Sequence, residues 1–456
     1  MKILYVVHYY LPRHQAGTEI YTHSLAKKFS EKGHEVWIFT SEDRSQPGFE
    51  LKEEEYKGIK VFRLYHSGVR DFRSTYLRED FDEIFDKVLD ELKPELIHFQ
   101  HLFRLSVGFV HKAKKRGIPC ILTLADYWLI CPAIIMLKPQ YVPCPDPEQS
   151  SACISCPHSM SAMIPGGFPA TIQKSIEYAL GLAHKIKRTL PPKWVDWLRD
   201  KLGRKQKLEE KEKLLKERWQ EMKKVVDALD LIISPSNFLK QMMVSSKMIP
   251  AEKIIHSDYG FELEGYVEKA VREKGRLVLG YIGTLVAHKG VHILLQAIKQ
   301  IKSQELELRI YGALEDFPGY VRWLKKIAGA DQRIKWMGRA EHSQVPKILS
   351  ELDLLVVPSL WYENSPLIIH EAFLAKTPVL ASNLGGMKEL LEKGGGALFE
   401  PNNPKDLGQK IEHLLKNPEE ITLLAERIPQ VKDINHHYNE LFEIYQSLLA
   451  KSKSTG

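Results

Sequence analysis

The stretch Leu354–Glu371, LLVVPSLWYENSPLIIHE, constrains the fold more than any other part of the chain. Leu354, Leu355, Val356 and Val357 form an uninterrupted apolar run. Such a run fills a strand buried on both faces, as in a parallel sheet. Pro358 and Ser359 end it, and the loop Leu360–Asn364 follows. Ser365 is placed to cap a helix that begins with Pro366 and continues through Leu367, Ile368, His370 and Glu371 to near Pro378. A helix N-terminus therefore emerges at the carboxyl end of a parallel strand. Its unbonded N–H groups and positive dipole end favour an anion there.

Glu363 stands just before those amides, and Glu371 lies eight residues further on. A phosphate on the amides, with a carboxylate on either side to hold hydroxyl groups, suits a sugar joined to a nucleoside through a diphosphate. The spacing alone is weak evidence, because two solvated helix-end carboxylates would look the same.

The rest of the chain supplies two series of alternating strands and helices. Lys2–Val7 reads as a strand, His8–Gly17 as a loop, Thr18–Lys32 as a helix capped by Thr18, and Glu35–Thr40 as the next strand. Glu95–Gln100 and Cys120–Leu124 read as buried strands around a helix at Val107–Arg116, and Asp230–Ser234 as a later strand. Ile254–Glu273 reads as a hinge. Beyond it, strands are expected at Arg276–Ile282, Leu306–Tyr311, Ile334–Met337, Leu354–Val357, Pro378–Ala381 and Ala397–Phe399. The expected architecture is α/β, with two doubly wound Rossmann-like domains facing a cleft. The first domain spans 1–262 with a helical, Cys-containing insertion at about 132–225, and the second spans 263–430. Residues 431–456 form a helix that crosses back to the first.

A net charge of +7 is compatible with an anionic donor, a nucleic acid or a membrane surface, and decides between none of them. No apolar run approaches the ~20 residues of a spanning helix. The N-terminus has an apolar core but no small-residue cleavage site, and the five cysteines do not resemble a secreted disulfide framework. The expected location is cytoplasmic, with the inner face of the membrane as a site of peripheral contact. Lys174–Arg188 and Trp194–Arg199 are basic and amphipathic, which suits that surface or a solvated insertion equally. Cys131, Cys144, Cys153 and Cys156 fall close enough in sequence for a structural zinc site, with disulfides or thiols as alternatives.

Glu363 and Glu371 together resemble the E-x7-E motif of the retaining, nucleotide-sugar-dependent GT-B glycosyltransferases of family four. The likeness covers most of the chain outside about 132–225. It implies that Glu371 holds the ribose, that Glu363 contacts the donor sugar, and that amides near Asn364, Ser365, Pro366, Leu367 and Ile368 hold phosphate or sugar oxygens. Lys289 matches the lysine that balances the departing diphosphate. Gly17 matches the first Gly-rich loop, and Gly312 a close approach to the nucleoside. Thr284 stands where many members carry an arginine, with His288 a partial substitute.

In the stretch Thr123-Leu124-Ala125-Asp126-Tyr127-Trp128, members commonly carry a histidine at the position of Ala125. Asp126 keeps the family pattern and is grouped with Glu363 and position 125 as the catalytic set. Either the chain relies on other groups there, or it carries an inactivating His-to-Ala change, which the intact Asp-Tyr-Trp context favours slightly. The resemblance implies a UDP- or GDP-linked sugar donor, a glycan, lipid-linked or small-molecule acceptor, and no cofactor for the chemistry. The rival reading is a donor- or glycan-binding protein of the same fold with weakened turnover. A phosphorylase-like enzyme lacks its expected lysine context, and a nucleic-acid binder lacks any recognised module.

Overall fold

The computed structural model describes residues 1–44, 46, 48–69, 71–138, 141–144, 153, 156, 204–266 and 275–455. The basic segments Lys174–Arg188 and Trp194–Arg199 lie outside the described residues.

The first sheet has eight strands in the order β10-β9-β6-β5-β1-β2-β4-β3. In chain order these are β1 (Lys2–Val6), β2 (Glu35–Asp43), β3 (Phe49–Tyr56), β4 (Ile59–His66), β5 (Leu96–Phe99), β6 (Cys120–Thr123), β9 (Leu231–Ser234) and β10 (Ile254–His256). Two short strands, β7 (Leu137–Lys138) and β8 (Val142–Pro143), pair separately. Every neighbouring pair in the large sheet is parallel except β3 with β4. Alternate residues of β1 explain why it is central. Leu4 and Val6 enter the core on one face, and Ile3 and Tyr5 the core on the other.

The second sheet is wholly parallel, in the order β13-β12-β11-β14-β15-β16. Its strands are β11 (Leu277–Ile282), β12 (Leu306–Tyr311), β13 (Ile334–Gly338), β14 (Leu354–Val357), β15 (Val379–Ser382) and β16 (Gly396–Phe399). These begin and end within one residue of the positions expected from their apolar runs. All four residues of β14 are buried, as a central parallel strand requires.

Several local expectations need correction. The first helix runs Gly17–Glu31 with Ala16 at its N-cap, so Thr18 lies inside it. Ile254–His256 is not hinge but the edge strand β10, paired with β9. The hairpin of β3 and β4 and the helix Glu79–Leu92 have no counterpart in the sequence reading. The β3 strand, FELKEEEY, is mostly exposed and too highly charged for an apolar-run signal, a composition that also discourages edge-to-edge pairing.

The last helix, Ile434–Thr455, leaves the second domain and packs on the first. Tyr445 is fully buried, and its hydroxyl bonds His98 Nδ1 at 2.6 Å and meets Tyr5 Oη at 3.3 Å. His98 Nε2 meets Thr123 Oγ1 at 2.7 Å, so this histidine is structural. Removing the Tyr445 hydroxyl strands a buried imidazole nitrogen, a loss of ~1–3 kcal/mol. Tyr445→Phe is expected to lower unfolding free energy by that amount in urea titration, with donor affinity unchanged.

Candidate active site

The site is assembled where β14 and β11 end. Two glycines permit the packing. Gly290 has φ 74°, and a Cβ there would lie 1.8 Å from the Pro358 carbonyl oxygen. The turn carrying Lys289 can therefore press against the end of β14. On the other side, Gly386 N–H donates to the Glu363 carbonyl at 2.8 Å. A Cβ at Gly386 would lie 1.3 Å from the Asn364 carbonyl oxygen, so only glycine fits.

Between these supports, Glu363 is buried, with a relative exposure of 6%. Its Oε1 accepts from Lys289 Nζ at 2.7 Å and from Ser359 Oγ at 2.6 Å. Among the described residues Oε2 has no well-formed hydrogen bond, and the Trp361 indole N–H interacts more weakly with the carboxylate. Burial alone would raise the Glu363 pKa. The Lys289 ammonium and the interactions with Lys289, Ser359 and the Trp361 N–H outweigh it and hold the carboxyl below its ordinary range. The result is an ionised carboxylate with one oxygen saturated and the other without a well-formed hydrogen bond.

The following helix runs Leu367–Leu374, with Pro366 at its N-cap and no side-chain cap. Ser365 is thus not the cap expected from sequence. Its hydroxyl is drawn away, donating to Asp258 Oδ1 at 2.7 Å and lying 2.8 Å from His370 Nε2. The first helical amides, on Leu367 and Ile368, have no acceptor within the helix. Gly17 of the first domain faces this helix start, since a Cβ on it would lie 3.4 Å from Leu367 Cδ1.

Glu371 is also buried, and its Oε1 lies 2.9 Å from Nε2 of the half-exposed His342. His342 was missed in the sequence because nothing in its local spacing links it to a residue 29 positions on. It sits in the short turn His342–Gln344 beyond β13.

Several other residues expected at the site have partners within the protein. Asn364 spans the two domains. Its Nδ2 donates to the Leu124 carbonyl at 3.0 Å, with the Ala125 carbonyl at 3.5 Å, and its Oδ1 accepts from Ser236 Oγ at 2.6 Å. Asp126 accepts from Trp128 N–H at 2.7 Å and meets His101 Nε2 at 2.9 Å, so both its oxygens are engaged. Gly312 lies against Gly283, whose carbonyl oxygen a Cβ would approach to 2.5 Å. The Thr284 residue is exposed, and its carbonyl accepts from Tyr281 Oη at 2.8 Å. The His288 ring lies 5.7 Å from that of Trp361. Among the described residues, which include Cys131, Cys144, Cys153 and Cys156, no group of three or more His, Cys, Asp or Glu side chains could hold a metal ion.

The comparisons with known proteins agree with this architecture. A family model described as glycosyl transferases group 1 matches residues 265–430, and one described as glycosyltransferase family 4 matches residues 16–135. The chain belongs to the family-four-like GT-B glycosyltransferases. This glycosyltransferase resembles the sucrose-phosphate synthase of Thermosynechococcus elongatus at a TM-score of 0.65 and 16% identity, over 98% of this chain and 99% of that one. It resembles Anabaena HepE, solved with UDP and glucose, at 0.62 and 16%, over 98% of this chain and 100% of that one. In sequence it is 21% identical to an uncharacterised 42.6 kDa protein of the Klebsiella pneumoniae cps region, over 86% of this chain and 87% of that one. It is 24% identical to spore coat protein SA of Bacillus subtilis, over 50% of this chain and 67% of that one. Among the described residues no helix is long and apolar enough to cross a membrane.

The hydrogen bond to Glu371 raises the pKa of His342, against an opposing effect of burial. The pair therefore stabilises the glycosyltransferase fully below the ordinary histidine pKa, and that contribution is lost as pH rises through the raised value. NMR titration is expected to place His342 above free histidine, and Glu371→Gln to bring it down. An unchanged value in the variant would remove the pair from the account.

Proposed function

We propose that this enzyme transfers a sugar, with retention of anomeric configuration, from a nucleoside-diphosphate sugar to a glycan, lipid-linked or small-molecule acceptor. One observation carries the reading. A buried, ionised Glu363 with one oxygen lacking a well-formed hydrogen bond stands beside Lys289, at the start of the helix that carries Glu371.

The roles follow from the chemistry of each group. The diphosphate draws Lys289 Nζ toward it and takes the amides of Leu367 and Ile368. Lys289 balances the charge that grows on the departing phosphate. Glu363 Oε2 accepts from a hydroxyl of the transferred sugar, and the carboxylate stabilises positive charge at the reacting carbon. Glu371 accepts from the ribose hydroxyls, for which His342 must give way. UDP is the first nucleotide to test, since HepE was solved with UDP and with UDP-glucose. The positive groups present make a divalent cation unnecessary, and turnover is expected to persist in chelator.

The weakened-enzyme reading rests on Ala125, whose methyl group cannot make a hydrogen bond, and on Thr284, which carries no charge where many members have an arginine. Ala125→His separates the two readings, because a large rise in turnover favours weakening and an unchanged rate favours reliance on other groups.

The direct test is calorimetry of UDP-, GDP- and ADP-glucose without metal, on this chain and on Glu371→Ala. One donor is expected to bind. Losing hydrogen bonds to a charged carboxylate, worth ~1.5–3 kcal/mol, should weaken it about 10- to 100-fold in the variant. Equal binding to both proteins, or to neither, would sink the reading. The anomeric signal of the product then reports retention.

A further inference from the structure

Among the described residues, two polar groups near Glu363 make no well-formed hydrogen bond, although one of them, the Trp361 indole, already interacts with the carboxylate. The Tyr127 hydroxyl comes from the first domain and belongs to a fully buried residue. The Trp361 indole nitrogen comes from the second domain and is itself buried. The Tyr127 ring lies 6.5 Å from that of Trp361, at 80°, and 6.4 Å from that of Tyr362. Leaving a donor buried and unpaired costs ~1–3 kcal/mol. These two donors, one from each domain, flank the loop that holds the buried Glu363 carboxylate.

Both donors already feel that carboxylate. The Tyr127 hydroxyl is pushed far up, first by burial and then by the charge on Glu363. The Trp361 N–H helps to hold the Glu363 carboxyl low. The other groups facing Glu363 are Lys289, Ser359 and the Tyr281 hydroxyl. Asn364, the next residue, is bonded to the Leu124 carbonyl, so the loop with Glu363 is tied to the segment that carries Tyr127.

We propose that Tyr127 and Trp361 are positioning residues that take over the Glu363 carboxylate when a donor diphosphate draws Lys289 away. The inference rests on the roles of Glu363 and Lys289 given above. Without a replacement, Glu363 would lose its countercharge in a buried place and would tend to take up a proton. Hydrogen bonds from a phenol and an indole to an ionised carboxylate are of the strong, charge-assisted kind. They would keep Glu363 ionised and aimed at the sugar through the transfer, in a chain that has no histidine at position 125.

The test uses the full chain and whichever of UDP-, GDP- and ADP-glucose binds by calorimetry. The rate read is hydrolysis of that donor, as release of the nucleoside diphosphate. Tyr127→Phe removes one oxygen from a filled aromatic site, so the fold is kept. It should lower kcat about tenfold and move the acid limb of kcat up by about one pH unit, since one unit corresponds to a factor of ten. Donor Kd should also rise, by no more than about tenfold, because the bond from the hydroxyl forms only in the donor complex. Trp361→Phe, which keeps an aromatic ring and removes the N–H, should act in the same direction. Glu363→Gln serves as the reference. Loss of turnover in Glu363→Gln, with kcat and the acid limb unchanged in the two aromatic variants, overturns the clamp alone. Full turnover in Glu363→Gln overturns the role of Glu363 and the clamp with it.

Discussion

The ion pair between Lys289 and Glu363 is the interaction on which the rest of the site depends. A carboxylate with 6% exposure is costly to keep charged, so its surroundings have to supply compensation. Lys289 and Ser359 do so on one oxygen. The pair exists only because the chain can be pressed together around it. Gly290 lets the lysine turn meet Pro358, and Gly386 lets a neighbouring helix start meet the Asn364 carbonyl. A side chain at either glycine would push the charged groups apart before any ligand arrived.

The same loop also joins the domains. Asn364 reaches the Leu124 and Ala125 carbonyls and Ser236, while Glu389 accepts from the amides of Asn237 and Phe238 across the cleft. Ser365 and His370 meet Asp258, in the segment that connects the domains. A second crossing runs alongside. Phe261 pairs with Asp433 as the chain returns, and the last helix then docks Tyr445 and His437 onto the first domain. The Glu363 loop, the interdomain segment and the docked helix therefore lie along connected contacts between the two domains.

Residues read correctly from sequence share one property, which is that their signal is local. The apolar runs of β11 to β16 identified themselves, because a strand buried on both faces admits little else. Helix starts were less legible. At Gly17 and Leu367 the cap fell one to two residues from the best side-chain candidate. In the second case Ser365 is claimed by Asp258, 107 positions away. The β3–β4 hairpin escaped notice because its outer strand is charged and exposed, and charge alternation carries no helix or core signal.

Sequence by itself determined the two α/β domains, the parallel strand leading into a helix at Leu367, and the candidacy of Glu363, Glu371 and Lys289. Backbone pattern suffices for the domains and the strand–helix junction, since periodicity is written into neighbouring residues, while Lys289 was singled out by the family resemblance. Only the tertiary structure decided which partners those groups have. It set His342 against Glu371, gave Asp126 to His101, turned Asn364 into an interdomain tie, and placed Tyr127 and Trp361 near Glu363 without well-formed hydrogen bonds among the described residues. Each of these depends on contacts between segments remote in the chain, and a one-dimensional pattern carries no record of which loops will meet when two sheets close on one another.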